Sequence, residues 1–184
     1  MNEVLTKTEI ERYFAAEKQA GLLFLLLGLA IVVLAVVLYL VLKTDFWKGA
    51  AIPLFVFGLI QTGIGYSIRQ KADELRVNNV YAYDMHPVQL KNVELPRMEG
   101  VNRNIRLFRW LGVLVFAIGV LIAARCYGDE SRRFWLGFGI TLAFAGADFF
   151  TAESIASIKA SEYTVKLRAF DEHTVRPATD IPHP

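Results

Sequence analysis

The sequence contains very few of the residues on which catalytic and metal sites most often depend. Its 184 residues include one cysteine, Cys126, and three widely separated histidines, His86, His173 and His183. A single cysteine excludes an intramolecular disulfide and a multi-cysteine zinc site. Serine-hydrolase, zinc-peptidase and phosphate-cradling glycine motifs do not occur in the sequence either. We therefore predict that the protein has no cofactor, binds no metal and is not an enzyme.

The sequence also lacks a marked excess of charge of either sign. Twenty basic and 18 acidic residues leave a formal net charge of +2. With no basic strip interleaved with aromatic residues, we expect no nucleic-acid partner. What is abundant is apolar sequence, at 54% against the usual ~45–50% of soluble domains. Nearly all the charges lie outside four apolar runs, at 21–42, 49–68, 107–126 and 134–155.

The first apolar run determines the fold class. Residues 21–42, GLLFLLLGLAIVVLAVVLYLVL, form an uncharged stretch long enough, at ~1.5 Å per residue, to cross a bilayer core of ~30 Å. A secretory signal has a shorter apolar region of ~7–15 residues and a cleavage site after it. Because lipid cannot satisfy backbone N–H and C=O groups, all four runs should be helices. We predict an all-α integral membrane protein, a bundle of four transmembrane helices.

An internal repeat indicates how the four helices are connected. Phe46-Trp47-x-Gly49 recurs as Phe134-Trp135-x-Gly137, 88 positions later. The first helices of the two halves match at an offset of 91, through the small residues Gly21, Gly28 and Ala35 in one and Gly112, Gly119 and Cys126 in the other. Small residues mark close helix contacts in membranes. We expect two tandem helical hairpins, 21–76 and 103–170, related by a pseudo-twofold axis, with both Phe-Trp pairs in an interfacial aromatic belt.

The polar segments between and beyond the apolar runs have their own expected structures. We expect residues 1–20 to form an amphipathic helix capped by Thr8 and Glu11, or a solvated helical stub. Residues 77–102 should form a cytoplasmic loop, irregular from 88 onward, and 171–184 a disordered tail. Pro53 should fall in the first turn of the second span. An apolar stripe of Tyr163, Leu167 and Phe170 should pack on the helical extension of the second span.

Basic residues are distributed unequally between the two sides of the membrane. Segments 1–20, 69–109 and 153–184 carry 15 Lys and Arg, whereas the other side carries five, four in its two short turns and Arg125 at the end of the third run. This bias places both termini and the long polar segment in the cytoplasm. We expect the protein to lie in a bacterial inner membrane.

Asp148 is the one unusual charge within an apolar run. It lies 14 residues from Phe134, which is roughly 21 Å along a helix. A carboxylate at such a depth costs about 2.5–3.5 kcal/mol on insertion scales, so we expect it to face the bundle interior and find a partner. The candidate partners are Gln61, Thr62, Tyr66 and Arg69. A structural hydrogen bond is the first interpretation, and a proton or cation site is the alternative.

A second group of charges stands at the start of the third span. Arg103, Arg106 and Arg109 follow one another at steps of three. Juxtamembrane arginines ordinarily contact anionic lipid and fix topology. A specific anion or phospholipid site is the sharper alternative.

The leading functional hypothesis is a non-enzymatic membrane protein that binds another protein in or at the membrane. An immunity protein against a membrane-active toxin and an accessory subunit of an envelope complex are its concrete forms. The alternative is a small oligomeric transporter or channel that uses Asp148. A membrane enzyme acting on lipid through Asp148, Glu153 or His86 is a third possibility. The expected partners are the lipid bilayer and either a second protein or further copies of the chain.

Overall fold

The computed structural model describes residues 5–170 as four long helices joined by short turns. Helix α1 spans Lys7–Val37, α2 Asp45–Met85, α3 Leu95–Cys126 and α4 Arg133–Ala169. π-helical turns at Leu38–Leu42 and Leu90–Glu94 follow α1 and precede α3, and a 3-10 turn at Glu130–Arg132 precedes α4. Each long helix carries a stretch long and apolar enough to cross a membrane. The prediction of four such helices is confirmed.

The four helices pack as two hairpins joined through their second members. α1 packs along α2, α3 along α4, and α2 against α4. A Cβ atom built on Gly49 would lie 1.9 Å from the carbonyl oxygen of Phe134, and one on Gly137 would lie 2.1 Å from that of Phe46. Each contact is the other one shifted by the repeat offset of 88, which is the reciprocity that a pseudo-twofold arrangement requires.

The helices divide into an apolar half, residues 21–68 and 107–155, and a polar half, residues 5–20, 69–106 and 156–170. In the apolar half the buried positions are mostly glycine and alanine. A Cβ on Gly28 would lie 2.5 Å from Thr62 Oγ1, and one on Gly119 2.3 Å from the backbone nitrogen of Ala143. Here the helix backbones themselves are in contact, and most of the large apolar side chains are exposed on the outer surface.

The polar half has a core of large side chains to which all four helices contribute. Its buried members are Leu5, Ile10, Phe14, Ala82, Leu90, Met98, Ala160, Tyr163, Leu167 and Phe170. The stripe of Tyr163, Leu167 and Phe170 is buried. Phe170 packs on α2 as expected, with its ring 5.8 Å from that of Tyr83, whereas Tyr163 stacks on Tyr13 of α1. The first residues of α1 belong to this packed core, instead of lying apart as an interfacial or solvated helix.

The start of α1 corrects the predicted capping box. The N-cap is Thr6, whose Oγ1 accepts from the backbone N–H of Glu9 at 3.3 Å, while Glu9 Oε2 accepts from the N–H of Thr6 at 3.1 Å. Thr6-x-x-Glu9 matches the motif as well as the predicted Thr8 and Glu11 do. The earlier start places Leu5 and Ile10, both fully buried, at the positions of a hydrophobic staple.

The stretch 88–102 is helical, and the expectation of an irregular segment there was wrong. α2 continues to Met85, and the chain leaves helical geometry only briefly before Leu90. Burial of Leu90 and Met98 in the polar-half core favours the helix. Pro96 falls in the first turn of α3, where a missing N–H costs little.

The position of Pro53 within its helix also differs from the prediction. α2 begins at Asp45, four residues before the predicted span, so Pro53 lies inside the helix and not in its first turn. It is buried and cannot donate a hydrogen bond to the carbonyl of Gly49. The predicted disordered tail, 171–184, lies outside the described residues.

Candidate functional sites

Asp148 lies on α4 in the apolar half, and its side chain is exposed at the bundle surface. Together with Phe24 of α1, Phe57 and Gln61 of α2, and Phe149, it lines a cavity of about 10 Å³. A cavity of that size has room for one water molecule at most. The exposed carboxylate differs from the expectation that it would point into the bundle interior.

The predicted partners of Asp148 do not hydrogen-bond to it. Gln61 shares the cavity, but its Oε1 is buried and has no partner among residues 5–170. Thr62 donates to the carbonyl of Gly58 on its own helix at 2.7 Å, and Tyr66 and Arg69 are exposed. The cleft between α1, α2 and α4 therefore holds two polar side chains, Asp148 and Gln61, whose hydrogen-bonding capacity is not used by the described chain.

The two Phe-Trp pairs lie together at the opposite end of the bundle from the polar half. The rings of Phe46 and Trp47 are 5.1 Å apart, and those of Phe134 and Trp135 are 5.6 Å apart, both edge to face. The pairs meet where Gly49 contacts Phe134 and Gly137 contacts Phe46. Both indole rings are exposed, as side chains of an interfacial belt need to be.

Arg103, Arg106 and Arg109 line a groove of about 440 Å³ between α3 and α4. We call it the arginine groove; its other lining residues are Glu99, Asn102, Ser157, Ser161, Thr164, Val165 and Arg168. Within the described part of the chain, none of the three predicted arginines forms an ion pair or side-chain hydrogen bond. The sequence pattern identified the three arginines. The structure shows that residues of α4 form the opposite side of the groove.

Sequence reasoning missed a buried charged cluster in the polar half. Arg97 donates to both carboxylate oxygens of Glu94, at 2.7 and 2.6 Å, and Glu94 is almost fully buried. Glu17 lies near this pair, and its Oε2 is buried without a hydrogen-bond partner among the described residues. Burial raises the pKa of Glu17 above its usual value, and the nearby Arg97 partly opposes that shift. The spacing of Glu94 and Arg97 was the available signal, but such pairs are common on exposed helix faces.

Two tyrosines complete this cluster. Tyr13 and Tyr163 stack with ring centroids 4.2 Å apart and planes 7° from parallel. Tyr13 donates to the sulfur of Met98 at 3.8 Å, while the Tyr163 hydroxyl has no partner within residues 5–170. Burial raises the pKa of both phenols, so both remain protonated at neutral pH. The cluster joins α1, α3 and α4 at their polar ends.

His86, one of the residues considered for a lipid-directed enzyme, lies far from Asp148. His86 caps the polar end of α2, about 25 residues and therefore roughly 37 Å along the helix from Gln61, which shares the cavity of Asp148. His86 is exposed and lies edge to face with Tyr81. Among residues 5–170, no group of three or more His, Cys, Asp or Glu is placed to hold a metal ion.

Comparison with protein-family models, with curated proteins and with solved structures finds no match for this chain. The fold defines the class of protein at a general level: residues 5–170 form an all-helical bundle with four helices long and apolar enough to cross a membrane and a compact polar half at one end.

Proposed function

We propose that this chain is an integral protein of a bacterial inner membrane that acts non-enzymatically by binding another protein within the bilayer. The four long apolar helices support membrane insertion. The 15 Lys and Arg on one side against five on the other support a cytoplasmic location for both termini and for the polar half. An immunity protein and an accessory subunit of an envelope complex both fit this description.

One observation supports partner binding above all others, namely the exposed carboxylate of Asp148 in the apolar half. A carboxylate that faces lipid costs about 2.5–3.5 kcal/mol. The buried Oε1 of Gln61 next to it also lacks a donor among the described residues. A transmembrane helix of a second protein, carrying a hydrogen-bond donor, would satisfy the exposed carboxylate of Asp148. Phe24, Phe57 and Phe149 are half-buried around Asp148 and supply apolar surface against which that helix would pack.

Photo-crosslinking from this cleft in native membranes tests the proposal. A photoreactive residue replaces Ile60, which lines the cavity, and in a control it replaces Leu121, which is exposed on the other hairpin. We expect one discrete adduct with a different protein from position 60 and none from position 121. The adduct should disappear with Asp148→Leu and persist with Thr151→Leu, a change at an exposed neighbour on α4. Equal adducts from both positions, or an adduct that survives Asp148→Leu in a folded protein, would contradict the proposal.

The same exposed carboxylate favours a second candidate, a small oligomeric transporter or channel. One protomer has no room for a pore between its paired helices, since their backbones are in contact at Gly28 and Gly119. Copies of the chain would have to meet with Asp148 between them. In that case the adduct from position 60 would have twice the mass of the chain. Flux in liposomes would then be abolished by Asp148→Asn and retained with Thr151→Leu.

A further inference from the structure

The arginine groove contains cationic side chains that the described chain does not neutralise. Arg103, Arg106 and Arg109 stand on α3 at intervals of about 4.5 Å along the helix axis. Arg103 and Arg106 are exposed, and Arg109 is half-buried. None of them is ion-paired within residues 5–170. The one carboxylate that lines the groove, Glu99, is paired with Arg168 at 2.7 Å.

The facing wall of α4 is mostly polar, and its one charged residue, Arg168, is paired with Glu99. Ser161 donates to the carbonyl of Ser157 at 2.6 Å, and Thr164 donates to that of Ala160 at 2.7 Å. Thr164 also accepts from the side-chain amide of Asn102 on α3 at 2.7 Å. These bonds fix small side chains along the wall, so that the space opposite the arginines stays open.

The first hairpin offers a contrast to this groove. There Lys18 of α1 is neutralised by Asp73 of α2 at 2.6 Å. The two hairpins are paired in different registers. Gly28 packs against Gly58, but its sequence counterpart Gly119 packs against Gly139, seven positions before the counterpart of Gly58. The pairing of Lys18 with Asp73 is therefore not repeated at the arginine groove.

The location and the chemistry of the groove both favour a phosphate ligand. Guanidinium groups match the geometry of phosphate oxygens and bind them through paired hydrogen bonds. The groove opens where the third apolar run begins, next to the exposed indole of Trp110 and the exposed Leu107. A volume of about 440 Å³ falls in the range of small-ligand sites, roughly 300–1,000 Å³.

We propose that the arginine groove is a binding site for a phosphate ester anion. Its place at the edge of the apolar half favours the headgroup of an anionic phospholipid as the source of that phosphate. A free phosphate compound is the other source. This assignment is independent of the partner-binding role of Asp148, which lies on a different face of α4.

The binding test uses the full chain, purified in a neutral detergent and stripped of lipid. Calorimetric titration with dihexanoyl phosphatidylglycerol, dihexanoyl phosphatidylcholine and inorganic phosphate compares the two sources of phosphate with a zwitterionic control. Saturable binding of phosphatidylglycerol alone supports a lipid headgroup site. Binding of inorganic phosphate as well supports a site for which the phosphate group suffices. Failure of both anions to bind would overturn the proposal.

Two triple variants, each of which removes three positive charges, distinguish a specific binding site from nonspecific electrostatic attraction. Arg103→Gln/Arg106→Gln/Arg109→Gln should weaken binding about fivefold for each cation removed, or on the order of 100-fold together. The control, Arg12→Gln/Lys18→Gln/Arg76→Gln, removes three cations from the first hairpin and should change the affinity by less than about fivefold. Equal losses in the two variants would overturn the proposal.

A carboxylate placed in the α4 wall of the groove is the sharpest test. Ser161→Asp adds a negative charge to the groove that the three arginines line, and should weaken binding at least tenfold. Ser161→Asn, which adds similar volume without charge, should retain most of the affinity. Circular dichroism and size-exclusion profiles confirm that each variant is folded. Unchanged affinity in folded Ser161→Asp would overturn the proposal.

Discussion

The apolar and polar halves of this molecule are held together in different ways. The buried positions of the apolar half are almost all small residues, and backbones meet at Gly28, Gly119 and the Gly49–Gly137 crossing. The buried positions of the polar half include Phe14 and Phe170. In lipid, apolar side chains gain nothing by moving inward, so close backbone packing holds the helices together. In water the hydrophobic effect drives large side chains inward. Each helix packs through small residues along its apolar part, and large side chains are buried between the helices in the polar half.

The two halves also treat polar groups differently. In the polar half, several buried or half-buried charges are paired, as in Glu94–Arg97 and Lys166–Glu9, although Glu17 Oε2 and the Tyr163 hydroxyl have no hydrogen-bond partner among residues 5–170. In the apolar half, Asp148 and Gln61 lie side by side without a hydrogen bond to the described chain. Unpartnered polar atoms thus occur in both halves. Those of the polar half are enclosed in its core, whereas the carboxylate of Asp148 is exposed among large apolar side chains.

The largest effect should come from filling the helix crossing at Gly137. Gly137→Val places a Cβ about 2 Å from the carbonyl oxygen of Phe46, closer than any packed contact, so α2 and α4 must separate. We expect the variant to lose the monodisperse folded species in detergent, as measured by fluorescence-detected size exclusion. Gly63→Val is the matched control, because a Cβ there meets no atom within 4 Å. Equal behaviour of the two variants would show that close backbone packing does not hold the apolar half.

The next effect concerns the core of the polar half. Phe14→Ala removes a side chain that is 1% exposed and should cost about 3–5 kcal/mol. We expect a lower midpoint of thermal unfolding and faster hydrogen exchange in residues 5–20 and 90–105, with the apolar half still protected. Val77→Ala, at an exposed position of α2, should leave the midpoint unchanged. Loss of protection in both halves at once would mean that they unfold as a single unit.

Much of the architecture was predictable from the sequence because its signals are local. Apolar runs longer than a bilayer core define helices without reference to anything distant in the chain. The repeat also pointed to Gly49 and Gly137, and the structure places both at the crossing of α2 and α4. Close packing of helix backbones leaves a sequence signature, since glycine is needed at each point of contact.

The packing of the polar half was not predictable in the same way. Whether 88–102 is helical depends on the burial of Leu90 and Met98 against α1, and Met98 contacts Tyr13 across 85 positions of sequence. The Glu94–Arg97 pair is buried only because segments distant in the sequence pack around it. Nothing in the local spacing distinguishes such a pair from a solvated one.

The orientation of Asp148 shows a limit of helical periodicity. The sequence placed it on one stripe with Ala145 and Ala152. Three residues turn a helix by about 300°, so that Asp148 lies roughly 60° from Ala145 around the axis. In the structure Ala145 is buried and Asp148 is exposed. A difference of about 60° around the helix axis is enough to place one side chain in the interior of the bundle and the other at its surface.

A smaller effect should appear at Glu17, and it should depend on pH. Burial raises the pKa of Glu17 in the folded protein, so the folded state holds this proton more tightly than the unfolded state does. Its contribution to stability is therefore fully present below the ordinary carboxyl pKa of about 4.3 and is lost as the pH rises through the raised value. Glu17→Gln cannot ionise and avoids that loss.

We expect Glu17→Gln to be more stable than the parent at pH 7, by on the order of 1 kcal/mol. The difference should shrink toward pH 4. Thermal midpoints of both proteins across this pH range give the measurement. Glu11→Gln is the control, because Glu11 is an exposed glutamate on the same helix. A parent more stable than Glu17→Gln at pH 7 would mean that Glu17 is ionised and stabilised by Arg97.

The smallest effect should come from the exposed pair of Lys18 and Asp73, even though its atoms are only 2.6 Å apart. Both side chains are about half exposed, so water and salt compete with the pair and its net contribution is slight. Lys18→Gln should leave the thermal midpoint unchanged at low and high salt, in contrast to Phe14→Ala. A clear, salt-dependent drop would show that charge pairing contributes to holding the polar half together. Without that drop, surface charges can differ between the hairpins at little cost in stability.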